Sequence, residues 1–324
     1  MICASRLTFT AALLTALSAP ATAQEPYPSK PVRLIVASSP GGGTDTTARL
    51  ISPGVSELLG KQIVIENKPG GAARIGSDYV ARSAPDGYTL LISASTLVIA
   101  PSVYNDIKFD PLKDFAPITQ VVVVPQLLVS HPGLPAKNVK ELVALAKSRP
   151  GKLEYASSAV GSNPQMAMVL FMNMTGTDIV HVPYKSGNAG LTDVIAGYVP
   201  ITMANMLVGL PHVRAGRLRA FGVTTAKRAL GAPDIPTIAE AGVPGYDSVQ
   251  WFGVLAPAGT PREIVTRLHR EMTRVIQDKE IQKRFLDDGA EAAWSETPEA
   301  FAAFMRAETA KWAKAVAQAK IQKR

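Results

Sequence analysis

Beyond Cys3 the 324-residue sequence has no cysteine, so the bulk of the chain has no disulfide, no thiol nucleophile and no thiolate-bound metal. Histidine is nearly as scarce. His131, His181, His212 and His269 are scattered without metal-ligand spacing and read as surface or structural groups. Long apolar runs are missing after residue 24, and the longest one before it is shorter than the ~20 residues that span a bilayer. There is also no run of one charge sign and no basic stripe interleaved with aromatics, which argues against a nucleic-acid binder; the terminal "KIQKR" reads as a solvated tail.

Residues 1–24 carry one charge, Arg6, then "LTFTAALLTALSA" and the small-residue stretch "ATA" before Gln24. This is the pattern of a cleavable secretory leader, with cleavage expected near Ala23 and Gln24 and a periplasmic destination. Without Arg6 the remaining 33 basic and 26 acidic side chains leave a net +7, a field that mildly favours small anions.

Short β-branched runs alternate with helix-period segments, from "VRLIVA" and "IVIEN" to "VPITMA" and "LRAFGVTT". The alternation predicts an α/β chain with a parallel-type sheet in each of two domains. From about Thr260 onward strands give way to helices, which must pack back on the first sheet. The expected division is 25–124 with 251–324 as one discontinuous domain and 125–250 as the other, with a ligand cleft between them. Crossings are expected near "VVVVPQ" (121–126) and "SVQWFG" (248–253). "NVKE" from Asn138 and "TPRE" from Thr260 read as capping boxes, "TPEAF" from Thr297 starts the last helix, and Pro53 is expected to kink or interrupt the first.

The stretch "SSPGGGTDTTARL" (38–50) places three glycines between a strand and a helix. Glycine admits close backbone approach, and the first N–H groups of a helix have no partner inside it, so such a turn suits an anion. A second turn of this kind, "AVGSNPQ" (159–165), follows "LEYASS", with Gly161 opening it and Ser162 and Asn163 offering side-chain donors. Enzyme motifs fail. Thr46 stands where G-x-G-x-x-G needs glycine, no phosphate-binding G-x-x-x-x-G-K-[ST] occurs, and Val160 and Pro164 flank Ser162 where a nucleophile elbow needs glycines. Asp45 is expected to cap the helix rather than act as a base. No catalytic residue, metal ligand or cofactor is expected.

"PGGGTDTTARL", "IENKPGGAARIGSDYVARSAPDGYTLL", "HVPYKSGNAGLTDVIAG", "LPHVRAGRLRAFGVTT", "IPTIAEAGVPGY" and "WFGVLAPAGTP" occur in this order along the chain. In these stretches the sequence resembles the solute receptors of tripartite tricarboxylate transporters, the TctC or Bug-type extracytoplasmic binding proteins. The resemblance implies a two-domain type II periplasmic binding protein, working as a monomer, that closes on a small carboxylate and presents it to membrane permease subunits. It places the ligand against Ser38, Ser39, Gly41, Gly42, Gly43, Thr44 and Asp45 of the first turn. The second turn would add Ser158, Gly161, Ser162, Asn163 and Gln165. Ser95 and Thr96 would lie near the cleft, Tyr184 and Lys185 would be wall residues, and Ala204 with Asn205 would stand where the family often has an acid before Asn.

This chain departs from the family at Ala37, Ser38 and Ser39, where Pro-Phe-Pro is usual, at Gln165 for a frequent His, and at Arg74 for a common Asn. With no acid at 204 to hold an amino group, and Met203 and Met206 as adaptable apolar surface, the expected ligand is an aromatic acid or an aliphatic di- or tricarboxylate rather than an amino acid. Two other functions fit the same sequence: a ligand-sensing co-receptor of a signalling system, which needs the same cleft, and an exported α/β hydrolase or lyase, which needs a nucleophile–base pair or metal cluster.

Overall fold

The computed structural model describes residues 27–319 apart from 71, 72 and 159, together with 321 and 323. The leader reading at 1–24 lies outside the described residues. In chain order, β1 (Val32–Val36), α1 (Gly43–Leu59), β2 (Ile63–Asn67), α2 (Arg74–Ala81), β3 (Thr89–Ala94), α3 (Thr96–Val103) and β4 (Phe115–Val124) form most of a first lobe. A second lobe follows from β5 (Gln126–Ser130), α4 (Val139–Ser148), β6 (Glu154–Ser157), α5 (Asn163–Thr175), β7 (Val180–Pro183), α6 (Gly187–Ile195), β8 (Ile201–Asn205), α7 (Met206–Arg214) and β9 (Arg219–Val223). The chain then returns to the first lobe through β10 (Gln250–Pro257), α8 (Arg262–Ile276), α9 (Lys279–Asp287), β11 (Glu291–Ala292) and α10 (Pro298–Gln318).

The chain is α/β, with sheet orders β11-β4-β10-β3-β1-β2 and β7-β6-β8-β5-β9. Both sheets are mixed rather than purely parallel. β1 runs parallel to β2 and β3, and β6 to β7 and β8, but β10 is antiparallel to β3 and β4, and β5 is antiparallel to β8 and β9. The reversed strands adjoin the crossings: β4 and β5 carry the chain from one sheet to the other, and β10 brings it back.

The central strands β1, β3, β10 and β5 each feed two cores, which is why their residues form nearly unbroken apolar runs. Leu34 and Val36 face the α1 and α8 side while Ile35 faces the α3 and α10 side. In the second lobe Leu128 packs with α4 and α5, and Leu127 and Val129 pack on the other face. The single apolar run "VVVVPQLLV" breaks at Pro125, which has no N–H for a ladder and lends its carbonyl to the Met206 N–H.

Two helix expectations change. α1 continues through Pro53 without interruption, because the carbonyl deprived of its donor belongs to Arg49, which is exposed to water. Thr260 does not cap α8. Its hydroxyl donates to the Pro257 carbonyl at 2.8 Å, and Pro261 takes the cap position. Asn138 and Thr297 do cap as their sequences indicate, accepting from the N–H groups of Glu141 and Ala300.

Along α10, Phe301, Met305, Glu308, Trp312 and Ala315 form one buried stripe. The helix packs on β4 and α3 of the first lobe and on α5 of the second. Asn173 of α5 donates to the Ala315 carbonyl at 2.9 Å, so α10 joins both lobes.

Candidate functional site

The two glycine turns share one geometry. In the first, Gly41 adopts φ +75°, Gly42 is the N-cap of α1, and the Gly41 N–H donates to Asp45 Oδ2 at 2.9 Å. In the second, Gly161 also adopts φ +75°, Ser162 is the N-cap of α5, and the Gly161 N–H donates to Gln165 Oε1 at 2.6 Å. In both, the side chain four residues on reaches back and accepts from the glycine N–H. Among the described residues no acceptor meets the N–H groups of Gly43 and Thr44, or those of Asn163 and Gln165. These are the unpaired donors of a helix start, aimed along the positive end of its dipole.

Asp45 is therefore not the cap residue: it lies in the first turn of α1, with the cap at Gly42. Its buried carboxylate is also held by Arg49 at 2.9 Å and by the Asn67 amide at 2.9 Å, and Asn67 in turn holds the Ser38 carbonyl. Burial pushes the Asp45 carboxyl up, but the bonds from Arg49, Gly41 and Asn67 outweigh it and hold it below the usual carboxylate range. With three donors on its two oxygens, Asp45 serves as a brace of the turn.

Gln165 braces the second turn without charge, and its amide orientation is determined. Because Oε1 accepts from Gly161, the NH2 end faces His181 Nδ1 at 3.2 Å, and a neutral His181 must accept there. The ring proton then sits on Nε2, which meets Ser157 Oγ at 2.6 Å. His181 also stacks on Tyr155, ring centroids 5.0 Å apart. Nitrogen NMR shifts of His181 at neutral pH are expected to show the Nε2-protonated tautomer; an Nδ1-protonated ring would contradict the assignment.

Beside a hollow of about 560 Å³ against Gly41, Asp45 and Arg49, two smaller cavities adjoin these turns and share Asn205. One, of about 180 Å³, is walled by Ser157, Ser158 and Pro164 of the second turn, by Leu191, Met203, Ala204 and Val208, and by Gln126 and Gln250 at the strand crossings. The other, of about 160 Å³, lies between Gly41, Gly43 and Thr46 of the first turn and Asn205 and Leu207 of the second lobe, with Phe252 and Val124 behind. Both are below the ~300–1,000 Å³ typical of pockets for drug-sized ligands, which suits a small solute. A larger cavity of about 240 Å³ beside Arg74 and Asp106 contains none of the turn residues.

Not every residue named from the sequence reaches these cavities. Ser38 is partly buried behind Gly42, its Oγ 3.5 Å from where a Gly42 Cβ would stand, while Ser39 is exposed. Ser95 is fully buried at the start of α3, with Thr96 partly buried beside it. Asn163 spends its amide across the lobes, donating to Ser95 Oγ and to the Val249 carbonyl, each at 3.2 Å. Tyr184 turns to Asp193 at 2.7 Å, a bond that together with partial burial raises its phenol to about 12. Lys185 is exposed and outside both cavities, and from that segment Gly187 and Asn188 take the wall instead. Arg74 pairs with Asp106 and stacks over Tyr104, 4.2 Å from its ring centre, and the Tyr104 hydroxyl donates to the Val160 carbonyl at 2.9 Å.

The model of the tripartite tricarboxylate transporter family receptor, TctC, matches residues 47–321. The chain belongs to this family. Among relatives of the TctC chain, protein BugT of Bordetella pertussis is 36% identical over 92% of this chain and 91% of its own length. A protein from the tcbD-tcbE intergenic region of Pseudomonas sp. strain P51 is 33% identical over 95% and 92%. In structure, a Rhodopseudomonas palustris protein solved with adipate superposes with a TM-score of 0.80 at 37% identity, covering 92% of this chain and all of that one. MatC of Rhodopseudomonas palustris with bound malate gives 0.76 at 29% identity over 90% and 100%. Such TctC and Bug proteins are solute receptors rather than enzymes. Among the described residues of this chain, no cluster of His, Cys, Asp or Glu could hold a metal ion, and no helix is long and apolar enough to cross a membrane.

Gln126 and Gln250 were not legible as site residues. A glutamine at a strand start carries no local signature, and only the meeting of two distant strands brings the pair to the cavity wall.

Proposed function

We propose that the chain is a periplasmic receptor that captures a small carboxylate between its two lobes and delivers it to the permease subunits of a tripartite tricarboxylate-type transporter. The observation that carries this reading is the matched pair of glycine turns, one on each sheet, braced in the same way and bordering cavities that share Asn205. One turn alone would serve any α/β protein. Two, on separate lobes, give an anion contacts that exist together only when the lobes are close, and only such differential contact shifts an open–closed equilibrium. Adipate and malate in structural neighbours support a short acid as the ligand.

The lobes correspond to residues 25–124 with 251–324, and 125–250. The hinge is the pair of crossings, where the Thr224 N–H donates to the Gln126 carbonyl at 2.9 Å and the Thr224 carbonyl accepts from Ser248 at 2.9 Å. The leader-like residues 1–24 support export. A thermal-melt screen against carboxylic acids tests the reading. An acid present at ~100 times its Kd is expected to add about 2.7 kcal/mol of stability, and a screen in which no carboxylate raises the melting temperature contradicts it.

A further inference from the structure

The two faces of the first sheet differ where the lobes meet. On the α3 and α10 face the apolar core runs on into the second lobe, with Met166 and Val169 of α5 buried in one cluster with Leu97, Trp312 and Val316. The bond from Asn173 to the Ala315 carbonyl closes the same seam. On the α1 and α8 face the core, which includes Phe285 and Ala290, takes in no residue of the second lobe among the described residues. There the lobes face each other across the 160 Å³ cavity.

On this second face the corner between α9 and β11 reaches the other lobe at two points. Gly289, buried and at φ +66°, lies against the start of α7, where a Cβ would stand 2.6 Å from Leu207 Cα and 2.7 Å from its nitrogen. Two residues on, Glu291 Oε1 accepts the Leu230 N–H at 2.8 Å. Leu207 and Leu230 both stay exposed, so these contacts bury little apolar surface. Parting the lobes at the α5–α10 seam would bring Met166, Val169 and Trp312 into water, an expense that grows with the apolar area uncovered. Parting them at the corner breaks a bond whose two groups water can satisfy, and the net cost of that is small.

We propose that the lobes open about the α5–α10 seam, that the solute enters and leaves on the opposite face past Asn205 and Leu207, and that Gly289 and Glu291 are the latch of that mouth. Glycine at 289 lets the corner meet the backbone of α7, since any Cβ would push α7 away. Glu291 holds the turn at Leu230. Both are positioning residues, because neither lines the two cavities beside the glycine turns. The latch therefore sets the open–closed balance of the empty receptor, and with it the fraction competent to hold a ligand. This inference rests on the reading of two closing lobes above and adds the direction in which they part.

Electron-spin distance measurements on the ligand-free full chain carrying Cys3→Ser test it, because Cys3 is the only native thiol. One label pair, Lys227→Cys with Lys283→Cys, spans the mouth, and another, Asp178→Cys with Lys314→Cys, spans the seam; all four positions are exposed. Gly289→Val is expected to lengthen the mouth distance by more than ~2 Å and to leave the seam distance unchanged. Glu291→Ala should shift the mouth distance the same way by less. Gly60→Val, at φ +70° with nothing within 4 Å of a Cβ, bears similar backbone strain in the same lobe and should change neither distance. A folded Gly289→Val with the wild-type mouth distance, or with a seam that lengthens as much as the mouth, overturns the proposal. If Gly289→Val does not fold, an unchanged mouth distance in Glu291→Ala overturns it equally. No acid enters the measurement, so the carboxylate reading stands or falls separately on the melt screen.

Discussion

Replacing Glu308 by Ala is expected to destabilise the protein by about 3 kcal/mol, at the lower end of the range for breaking a buried ion pair. Glu308 is 5% exposed in the apolar stripe of α10. Its Oε2 accepts from the indole N–H groups of Trp251 at 3.3 Å and Trp312 at 3.1 Å, and its Oε1 pairs with Lys311. Removing the carboxylate orphans two buried N–H donors and strips Lys311 of its counter-charge. Lys311 is 28% exposed and can turn toward water, which keeps the cost near the lower end. Glu308→Gln keeps an oxygen for the indoles and should cost less. Urea unfolding measures both; an unchanged midpoint for Glu308→Ala would show the carboxylate to be dispensable. Because Trp251 lies next to Gln250 at the return crossing, this contact also fixes α10 to the hinge strand.

Gly161→Val is expected to lower carboxylate affinity at least about tenfold, equal to about 1.4 kcal/mol. At φ +75° a β-branched residue is strained, and its Cβ would stand 3.3 Å from Val103 Cγ1 and 3.4 Å from Tyr104 Cε2. The turn must move off the end of α3, carrying with it the N–H bonded to Gln165 and the donors at the start of α5. Gly176 provides the control. It has φ +63° at the other end of α5 with nothing within 4 Å of a Cβ, so Gly176→Val bears similar backbone strain away from the cavities. Calorimetry should show ligand affinity lost in the first variant and kept in the second, although both lose stability. Equal affinity in the two variants would remove the second turn from the site.

The sequence shows the turns because glycine between a strand and a helix start is a local pattern, and the two stretches carry it independently. The run "VVVVPQLLV" reads as one strand in sequence, and only the structure divides it at Pro125 into β4 and β5. Strand direction is not local. β10 contains Gly253 and Pro257 and reads poorly as a strand, yet it sits at the centre of the first sheet, and the Cβ missing from Gly253 leaves room for the Phe301 ring, which a side chain there would overlap. The brace at Asp45 was misplaced by three residues as a cap because loop and helix boundaries decide that role. Tyr184 is a plausible wall residue in sequence, but the Asp193 carboxylate one helix later turns it aside. Glu308 is a charge inside an apolar stripe, a signal present in the sequence but interpretable only once the two indoles converge on it.

A carboxylate clamped by both lobes must lie between the two glycine turns. A crystal structure with the acid that gives the largest thermal shift is expected to place its carboxylate within ~2.7–3.2 Å of the backbone N–H groups that open α1 and α5, directly or through one water. An acid held by one lobe alone, or bound away from both glycine turns, would contradict it.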